Sequence, residues 1–526
     1  MRIKTLGVSL ALIGALATGG GALAQSGPVV TLKSFDGFTQ LRGELVDFDG
    51  QYYTIETRLG TLQVDALQVS CEGEACPSDL LFGQEFAIRG SNTIGATLMP
   101  SLIEGYADTL DASLEREIGA DPEQRTFRII HSSGEEMAAI DLEARGSGTS
   151  FPALAAGTAA FGMSSRRIRG NEADVLLEAG YADPRDTDNE KVLALDGLLI
   201  IVHPDNPVRS ISISEAAQVF SGQITNWSEL GGLDRPINVY SRDAESGTYD
   251  TFESLVLDPF GAELAGNAER FASNADLSDN VSSDLSGIGF TGFAFARAAK
   301  VLPIRQECGM LSYPTTFAIK TEEYPLARRL YLYTTEDEMP SHARRILDFA
   351  ESEEAAPYIE DAGFISLQPE AQGLNEQGQR ISYAMTEEDE FSLPLMREML
   401  REFREAQRLS LTFRFTPGSS QLTAQSQRDA EEFAEDIVNG EYAGREIMLV
   451  GFTDSIGQFE LNQTLAERRA QGVLFTMAEA VSGGDSIGEL DDTSIEVRGY
   501  GELTPVGCNT TFAGRVANRR VEVWVR

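Results

Sequence analysis

Apolar positions between residues 28 and 70 recur in short alternating runs (29–32, 41–46, 52–57 and 62–69), separated by turn signals such as Asp47-Phe48-Asp49-Gly50. Period-two alternation places one row of side chains on each face of a strand, so 25–83 reads as a small β-rich module. From 84 to 368 the pattern changes. Strand-like apolar runs (127–130, 194–202, 237–240) alternate with helix-spaced ones such as 343–350, which predicts an α/β domain. The region is too long for one compact core and suits two lobes around a cleft. The strands near Val202 and Gly289 are the expected crossovers. Residues 369–392 are polar, with the acidic run Glu387-Glu388-Asp389-Glu390, and read as a linker. Leu395, Leu400, Phe403 and Ala406 then recur at helical spacing, so 369–405 is expected to be linker and helix. The remainder, 406–526, predicts a second α/β unit: a strand at Phe413 and Phe415, helices over 424–438 and 461–480, a buried strand at 447–450 and closing strands at 494–498 and 521–525. The fold class is therefore multidomain, with a β module, a two-lobed α/β domain and a smaller terminal α/β domain.

Composition narrows the partners. The 526 residues carry 42 basic and 82 acidic side chains, a net charge of −40. Such a surface disfavours nucleic acid, whose backbone requires a basic face, and anionic lipid as well. Residues 1–24 have the layout of a signal peptide: Arg2 and Lys4, an apolar run over 6–17 too short to span a bilayer, and Ala22-Leu23-Ala24 as a cleavage site. Export predicts an oxidising compartment, where Cys71 and Cys76 in CEGEAC would close a small disulfide loop. A metal site is the weaker reading, because no histidine lies nearby. The pairing of Cys308 and Cys508 stays open.

Two constellations carry chemistry. In GFTDSIGQFELNQTLAERRAQGV (451–473), Asp454 ends a buried strand, and Asn462, Leu465 and Arg469 share one face of the next helix. A carboxylate and a guanidinium so placed suit a zwitterion, the first taking an ammonium and the second a carboxylate. A structural Asp454–Arg469 ion pair is the alternative. In the middle domain, RGSNTIGATLMPSL (89–102), ARGSGTSFPAL (144–154) and SRDAESGTYDTF (241–252) each put Ser or Thr beside Gly ahead of a helical pattern. Hydroxyls and free N–H groups at helix N-termini hold anions; one such segment alone would be ordinary capping.

These segments carry two resemblances. The terminal domain, through FRFTPGSSQL, the 451–473 stretch, RGYGELTPV and NRRVEVWV, resembles the OmpA-like peptidoglycan-binding family. That implies binding of the diaminopimelate end of the peptidoglycan stem peptide. Asp454 would take its ammonium and Arg469 its carboxylate, with Thr453, Asn462 and Leu465 in support. Arg520 would be either a contributor or a buttress of the fold. The middle domain, through GSNTIG, GSGTSFPALAAGTAAFGMSSR, FSGQITNWSELGG and RDAESGTYDTF, resembles the PstS-like phosphate-binding proteins. The implied anion contacts are Thr93 and Ile94 (backbone), Ser147, Arg242, Ser246, Gly247 and Thr248. Where many phosphate binders carry an aspartate that accepts the anion's proton, this chain has Ser165, followed by Arg166. A serine both donates and accepts, so a tetrahedral oxyanion is expected rather than phosphate alone.

No nucleophile elbow surrounds Ser147 or Ser246, and none of the three histidines, His131, His203 and His342, falls in a nucleophile motif. The chain thus reads as a non-enzyme without cofactor. The resemblance implies a periplasmic binding protein tethered to peptidoglycan and associated with the cell wall and outer membrane, with an ABC transporter permease as further partner. The alternative is a wall-anchored structural or sensory envelope protein whose solute-binding fold no longer serves transport.

Overall fold

The computed structural model describes residues 29–526 except 35–37, 49–51, 74, 78–81, 120, 122, 187–188, 245, 336–338, 386–391, 417–418 and 483–493. The expected signal peptide and the acidic run 387–390 lie outside the described residues. No helix among the described residues is long and apolar enough to cross a membrane.

The first module is a five-stranded antiparallel sheet in the order Gly60–Asp65, Tyr52–Thr57, Gln40–Phe48, Val29–Ser34, Val69–Glu72. Its alternating residues Val30, Leu32, Tyr53, Ile55, Val64 and Val69 form the core. Cys71 and Cys76 are joined by a disulfide with an S–S distance of 2.06 Å. Asp65 pairs with Arg345 of the next domain at 3.0 Å.

That domain is built on one continuous eleven-stranded sheet carrying two separate apolar cores. Their border runs across two strands. In Glu190–Val202, Leu193 and Ala194 pack into the first core, while Leu195 and Leu198 pack into the second. In Ala327–Tyr333, Leu330 and Leu332 belong to the first core, and Leu326, just before the strand, belongs to the second. These two antiparallel strands are the crossovers between lobes. Because helices cover both faces, the first of them reads as a nearly continuous apolar run. The expected crossover at Val202 lies on this strand. Gly289 lies within Gly287–Gly292, wholly inside the second lobe.

The terminal domain is a five-stranded sheet ordered Ala371–Gln372, Gln407–Arg414, Arg520–Val525, Glu446–Phe452, Ser494–Gly499. Helices Ala424–Asn439 and Phe459–Ser482 cover one face. The other face is covered by Leu393–Glu402 and its neighbours, where Met396, Met399 and Phe403 pack on Met448, Phe452 and Trp524. The segment expected as a linker is thus largely part of this domain. Ala371–Gln372 forms its edge strand, and Gly378–Ala384 is a helix whose Arg380 is buried on Glu522. Hydropathy misses this because Gln377 and Arg380 are buried through pairing, not through apolarity.

The terminal domain is fastened to the second lobe. Cys308 of that lobe and Cys508, 200 residues apart, form a disulfide. Arg408 pairs with Glu323, and Arg414 Nε lies 3.2 Å from Glu322. Around the fully buried Glu522 gather Arg380, Arg408 at 3.3 Å and Arg520 at 2.7 Å.

Candidate binding sites

The strand Gln84–Gly90 ends just before Thr93, which starts the helical turn Ile94–Leu98; Ile94 is fully buried there. Ser147 opens the turn Ser147–Thr149 before helix Ser150–Ala155. Ser165 follows strand Phe161–Ser164. From the other lobe, strand Asn238–Arg242 ends in Arg242, and Ser246 caps helix Gly247–Phe252 by accepting the Thr248 amide at 3.2 Å. Strand ends and helix starts from both lobes thus converge, the usual geometry for ligands in open α/β sheets.

The contacts close the ring. Thr93 Oγ1 lies 2.9 Å from Thr248 Oγ1, a hydrogen bond that spans the two lobes. Ser147 Oγ accepts the Ser165 amide at 3.0 Å and lies 3.2 Å from Ser165 Oγ. A Cβ on Gly247 would stand 2.1 Å from Ser165 Oγ and 2.5 Å from Ser147 Oγ, so a side chain there would displace both hydroxyls from the ring.

Arg242 is 1% exposed. Its Nε donates to the Phe271 carbonyl at 3.0 Å, and its Nη2 donates to the Ala272 carbonyl at 2.6 Å and to Asn92 Oδ1 at 3.3 Å. Its Nη1 is buried with no partner. Burial pushes the guanidinium down to about 10, more than nearby Asp243 restores. A cation held dry with an unpaired donor is primed for an anion.

Arg166, expected beside Ser165, is turned away from this ring. Its guanidinium forks onto Glu172, with both bonds at 2.8 Å, and its Nε reaches Asp250 at 3.0 Å. Two carboxylates occupy it, so it stiffens the loop instead of facing the site.

Sequence reasoning missed a second guanidinium. Arg328 and Asp196 face each other across the two crossover strands. Arg328 Nε and Nη2 donate to Asp196 Oδ2 at 2.9 and 2.5 Å, and Nη2 also donates to Thr248 Oγ1 at 3.3 Å. Asp196 Oδ1 accepts the amides of Gly197 at 2.9 Å and Phe293 at 2.7 Å. The available signal was an arginine inside the apolar run LARRLYLY.

In the terminal domain, Thr453 and Asp454 follow strand Glu446–Phe452, and Asn462, Leu465 and Arg469 lie on helix Phe459–Ser482. Asn462 Nδ2 donates to the Asp454 carbonyl at 3.2 Å and to Glu502 at 2.9 Å. Leu465 is half-buried on the same helix. The alternative Asp454–Arg469 ion pair is not formed. Asp454 pairs instead with Arg519 at 2.7 Å. Arg469 lies 5.1 Å over the Phe415 ring, with Nε and Nη1 buried and unpartnered. Burial, followed by the nearby Arg519, holds its guanidinium below the usual range, against the opposite pull of Asp454. The Thr453 hydroxyl is also buried without a partner.

Arg520 is fully buried and bonds to Glu522 and to the Thr504 carbonyl at 2.9 Å, so it buttresses the sheet. Its neighbour Arg519, unmarked in the sequence reading, is the one beside Asp454. Successive residues entering a strand point to opposite faces, which explains the exchange.

Comparison with known proteins follows this division. A model described as PBP superfamily domain matches residues 130–351, and one described as OmpA family matches 414–519. The phosphate-binding protein PstS of Bacillus subtilis is 31% identical over 229 residues, 43% of this chain and 71% of that protein. PstS of Staphylococcus saprophyticus is 26% identical over 299 residues, 54% of this chain and 91% of that protein. The crystal structure of an ABC-type phosphate transport receptor from Vibrio cholerae is 25% identical, covering 53% of this chain and 99% of that one, with a TM-score of 0.41.

Proposed function

The chain belongs to the PstS family of phosphate-binding proteins and ends in an OmpA-family domain, and from that premise we propose that it is a periplasmic receptor for phosphate or a similar tetrahedral oxyanion, held non-covalently to peptidoglycan. The observation that carries the reading is Arg242, buried with Nη1 unpaired at the meeting point of two lobes. Its free N–H groups supply charge and direction to the anion. Thr93, Ser147, Ser165, Ser246 and Thr248 supply hydroxyls, and the backbone at Ile94 and Gly247 supplies amides. The site serves binding rather than hydrolysis: Ser147 and Ser165 hydrogen-bond to each other, with no histidine as base. In the terminal domain, the unpaired donors of Arg469 take a stem-peptide carboxylate, and Asp454, on exchanging Arg519, takes the ammonium. The envelope location includes association with the outer membrane, and release of the anion to an ABC transporter permease is the partner step this reading implies.

One observation favours the sensory alternative. The terminal domain is fastened to the second lobe by a disulfide and ion pairs, which leaves no long tether for a shuttle.

Isothermal calorimetry of the chain without residues 1–24 tests the anion reading. Phosphate binding at micromolar strength or tighter, lost in Arg242→Ala, is the expected result; a folded protein giving no heat would refute it. Sedimentation with purified peptidoglycan tests the wall reading, with retention expected for the wild type and release for Asp454→Ala.

A further inference from the structure

The candidate ring and the cleft in front of helix Ala424–Asn439 lie back to back across the two crossover strands. In Ala327–Tyr333, Arg328 donates to Thr248 of the ring, and the next residue, Arg329, lines the cleft. In Glu190–Val202, Asp196 holds Arg328, and Leu195 lines the cleft. Successive strand residues point to opposite faces, so the ring occupies one face of the crossover and the cleft the other. The ring side is shut, with Thr93 and Thr248 2.9 Å apart, and the cleft behind it holds about 730 Å³.

The two walls of the cleft belong to different bodies. One is helix Ala424–Asn439 of the terminal domain, fastened to the second lobe by Cys308–Cys508 and by the Arg408–Glu323 and Arg414–Glu322 pairs. The other is the end of helix Ser341–Glu351 with the turn Glu353–Ala355, whose Leu347, Ala350 and Ala355 pack in the first-lobe core. Both walls are acidic. Glu432 and Asp436, with Asp429, Glu435 and Glu441 beside them, face Glu351 and Glu353. The cations around the cleft are engaged: Arg167 with Glu190 at 3.0 Å, Lys191 with Glu351 at 3.4 Å, Lys320 with Glu370 at 3.2 Å, and Arg329 and Arg414 with Glu322. Arg428 bonds to Gln425 and offsets Glu432 only in part, since that carboxyl is still raised.

We infer that the acidic cleft is a charge-loaded spring behind the hinge: parting the lobes at the ring narrows the cleft and drives Glu432 and Asp436 toward Glu351 and Glu353, so that like-charge repulsion holds the ring shut. Burial, then Asp429, raises Glu432 to about 7, and burial, then Glu441, raises Asp436 to about 6; Glu351 and Glu353 push the same way from the opposite wall. A narrower cleft raises both carboxyls further and binds their protons more tightly, so acid favours the open ring and the spring unloads as pH falls through 7 and 6. The effect on affinity rests on the anion-binding reading above; the effect on cleft width does not.

The first test is pulsed electron-spin distance measurement on the chain without residues 1–24, with nitroxides on Ser352→Cys and Asn439→Cys, exposed positions on the two walls. In the absence of anion, the distances are expected to shorten from pH 8 to pH 5, and to be short at both pH values when Glu432→Gln and Asp436→Asn are added. Distances that do not change with pH overturn the inference, whatever the anion result. The second test is calorimetry with sodium phosphate at pH 8. Glu432→Gln with Asp436→Asn is expected to weaken binding ~2- to 5-fold in low salt, the scale of exposed charge pairs, and Glu353→Gln on the opposite wall to act in the same direction. Both losses are expected to vanish at ~1 M salt, where screening acts within ~3 Å. Unchanged or tighter binding by these variants, or a loss equal at both salts, overturns the inference and leaves the phosphate-receptor reading standing. No heat from the parent chain removes the phosphate reading, and the distances then decide the inference by themselves.

Discussion

Replacing Glu522 by glutamine should unlock the terminal domain from its own core. Glu522 is fully buried among Arg380, Arg408 and Arg520, and Arg408 also reaches Glu323. Three guanidiniums therefore share two carboxylates. Glu522→Gln leaves three against one. Breaking a buried pair by removing one partner costs ~3–5 kcal/mol, and here one change strands two further cations, which places the cost near the upper end. Arg520→Met moves the cluster to two against two. Burial already pushes Arg520 down to about 10, so its charge is costly to hold there, and the loss is that of its bonds with Glu522 and with the Thr504 and Asn518 carbonyls, about 1 kcal/mol each. Acid should act in the same direction as Glu522→Gln. Burial alone would raise the Glu522 carboxyl, but Arg380, Arg408 and Arg520 outweigh it and hold it well below 4.5. Its stabilisation is complete above that value and is lost as pH falls through the lower folded value. The assay is urea unfolding followed by Trp524 fluorescence in a Trp227→Phe background, since these are the only two tryptophans and Trp524 donates to Glu522 at 2.9 Å. A loss under ~1 kcal/mol for Glu522→Gln, or an Arg520→Met loss equal to or larger than it, would refute the charge accounting.

Removing Cys308 and Cys508 together should lower stability by ~2–4 kcal/mol with the anion affinity unchanged, read from thermal melts and calorimetry on the same sample. Arg469→Met should weaken peptidoglycan retention by ~100-fold or more, the value of two charge-assisted hydrogen bonds, while leaving the melting temperature equal or higher because an unpaired buried cation is gone; sedimentation and melting report the two separately. The cleft between helix Ala424–Asn439 and the first lobe is lined by Glu432 and Asp436 opposite Glu351 and Glu353. Burial, then neighbouring Asp429, raises Glu432 to about 7, and burial, then Glu441, raises Asp436 to about 6. Raised carboxyls bind protons more tightly when folded, so stability should fall as pH rises through 6 and 7, and Glu432→Gln should flatten that slope in melts from pH 5 to 8. Glu432 is partly open to solvent, which keeps the effect small.

Much of this architecture is legible in hydrophobic spacing. The period-two runs of the first module became its sheet, and the long apolar run through Val202 became a crossover strand because a strand covered on both faces needs no alternation. Spacing on the helix after Asp454 placed Asn462 and Arg469 on the side that faces the strand end. The failures share one cause, which is that burial by pairing leaves no hydropathic trace. Arg380 looks like linker and lies against Glu522. Arg328 and Asp196 look like solvent-facing charges in apolar strands and sit under the anion ring, opposite each other in register. Arg166 looked available because Glu172 and Asp250, its partners, lie on separate helices. Arg519 and Arg520 cannot be told apart without the phase of the strand they enter.

The fastening of the terminal domain to the second lobe decides which part of the molecule travels. Once the terminal domain is anchored, the second lobe is anchored with it through Cys308–Cys508 and the Arg408–Glu323 pair. Were the lobes to hinge at the two crossover strands, the first lobe would be the one to swing, and the β module would ride on it through Asp65 and Arg345. On the proposed function, occupancy of the candidate ring, which joins Thr93 of one lobe to Thr248 of the other, would then become the position of a lever measured against a fixed frame. The free end of that lever is the five-stranded module, which makes its exposed surface the place where such a displacement would be felt.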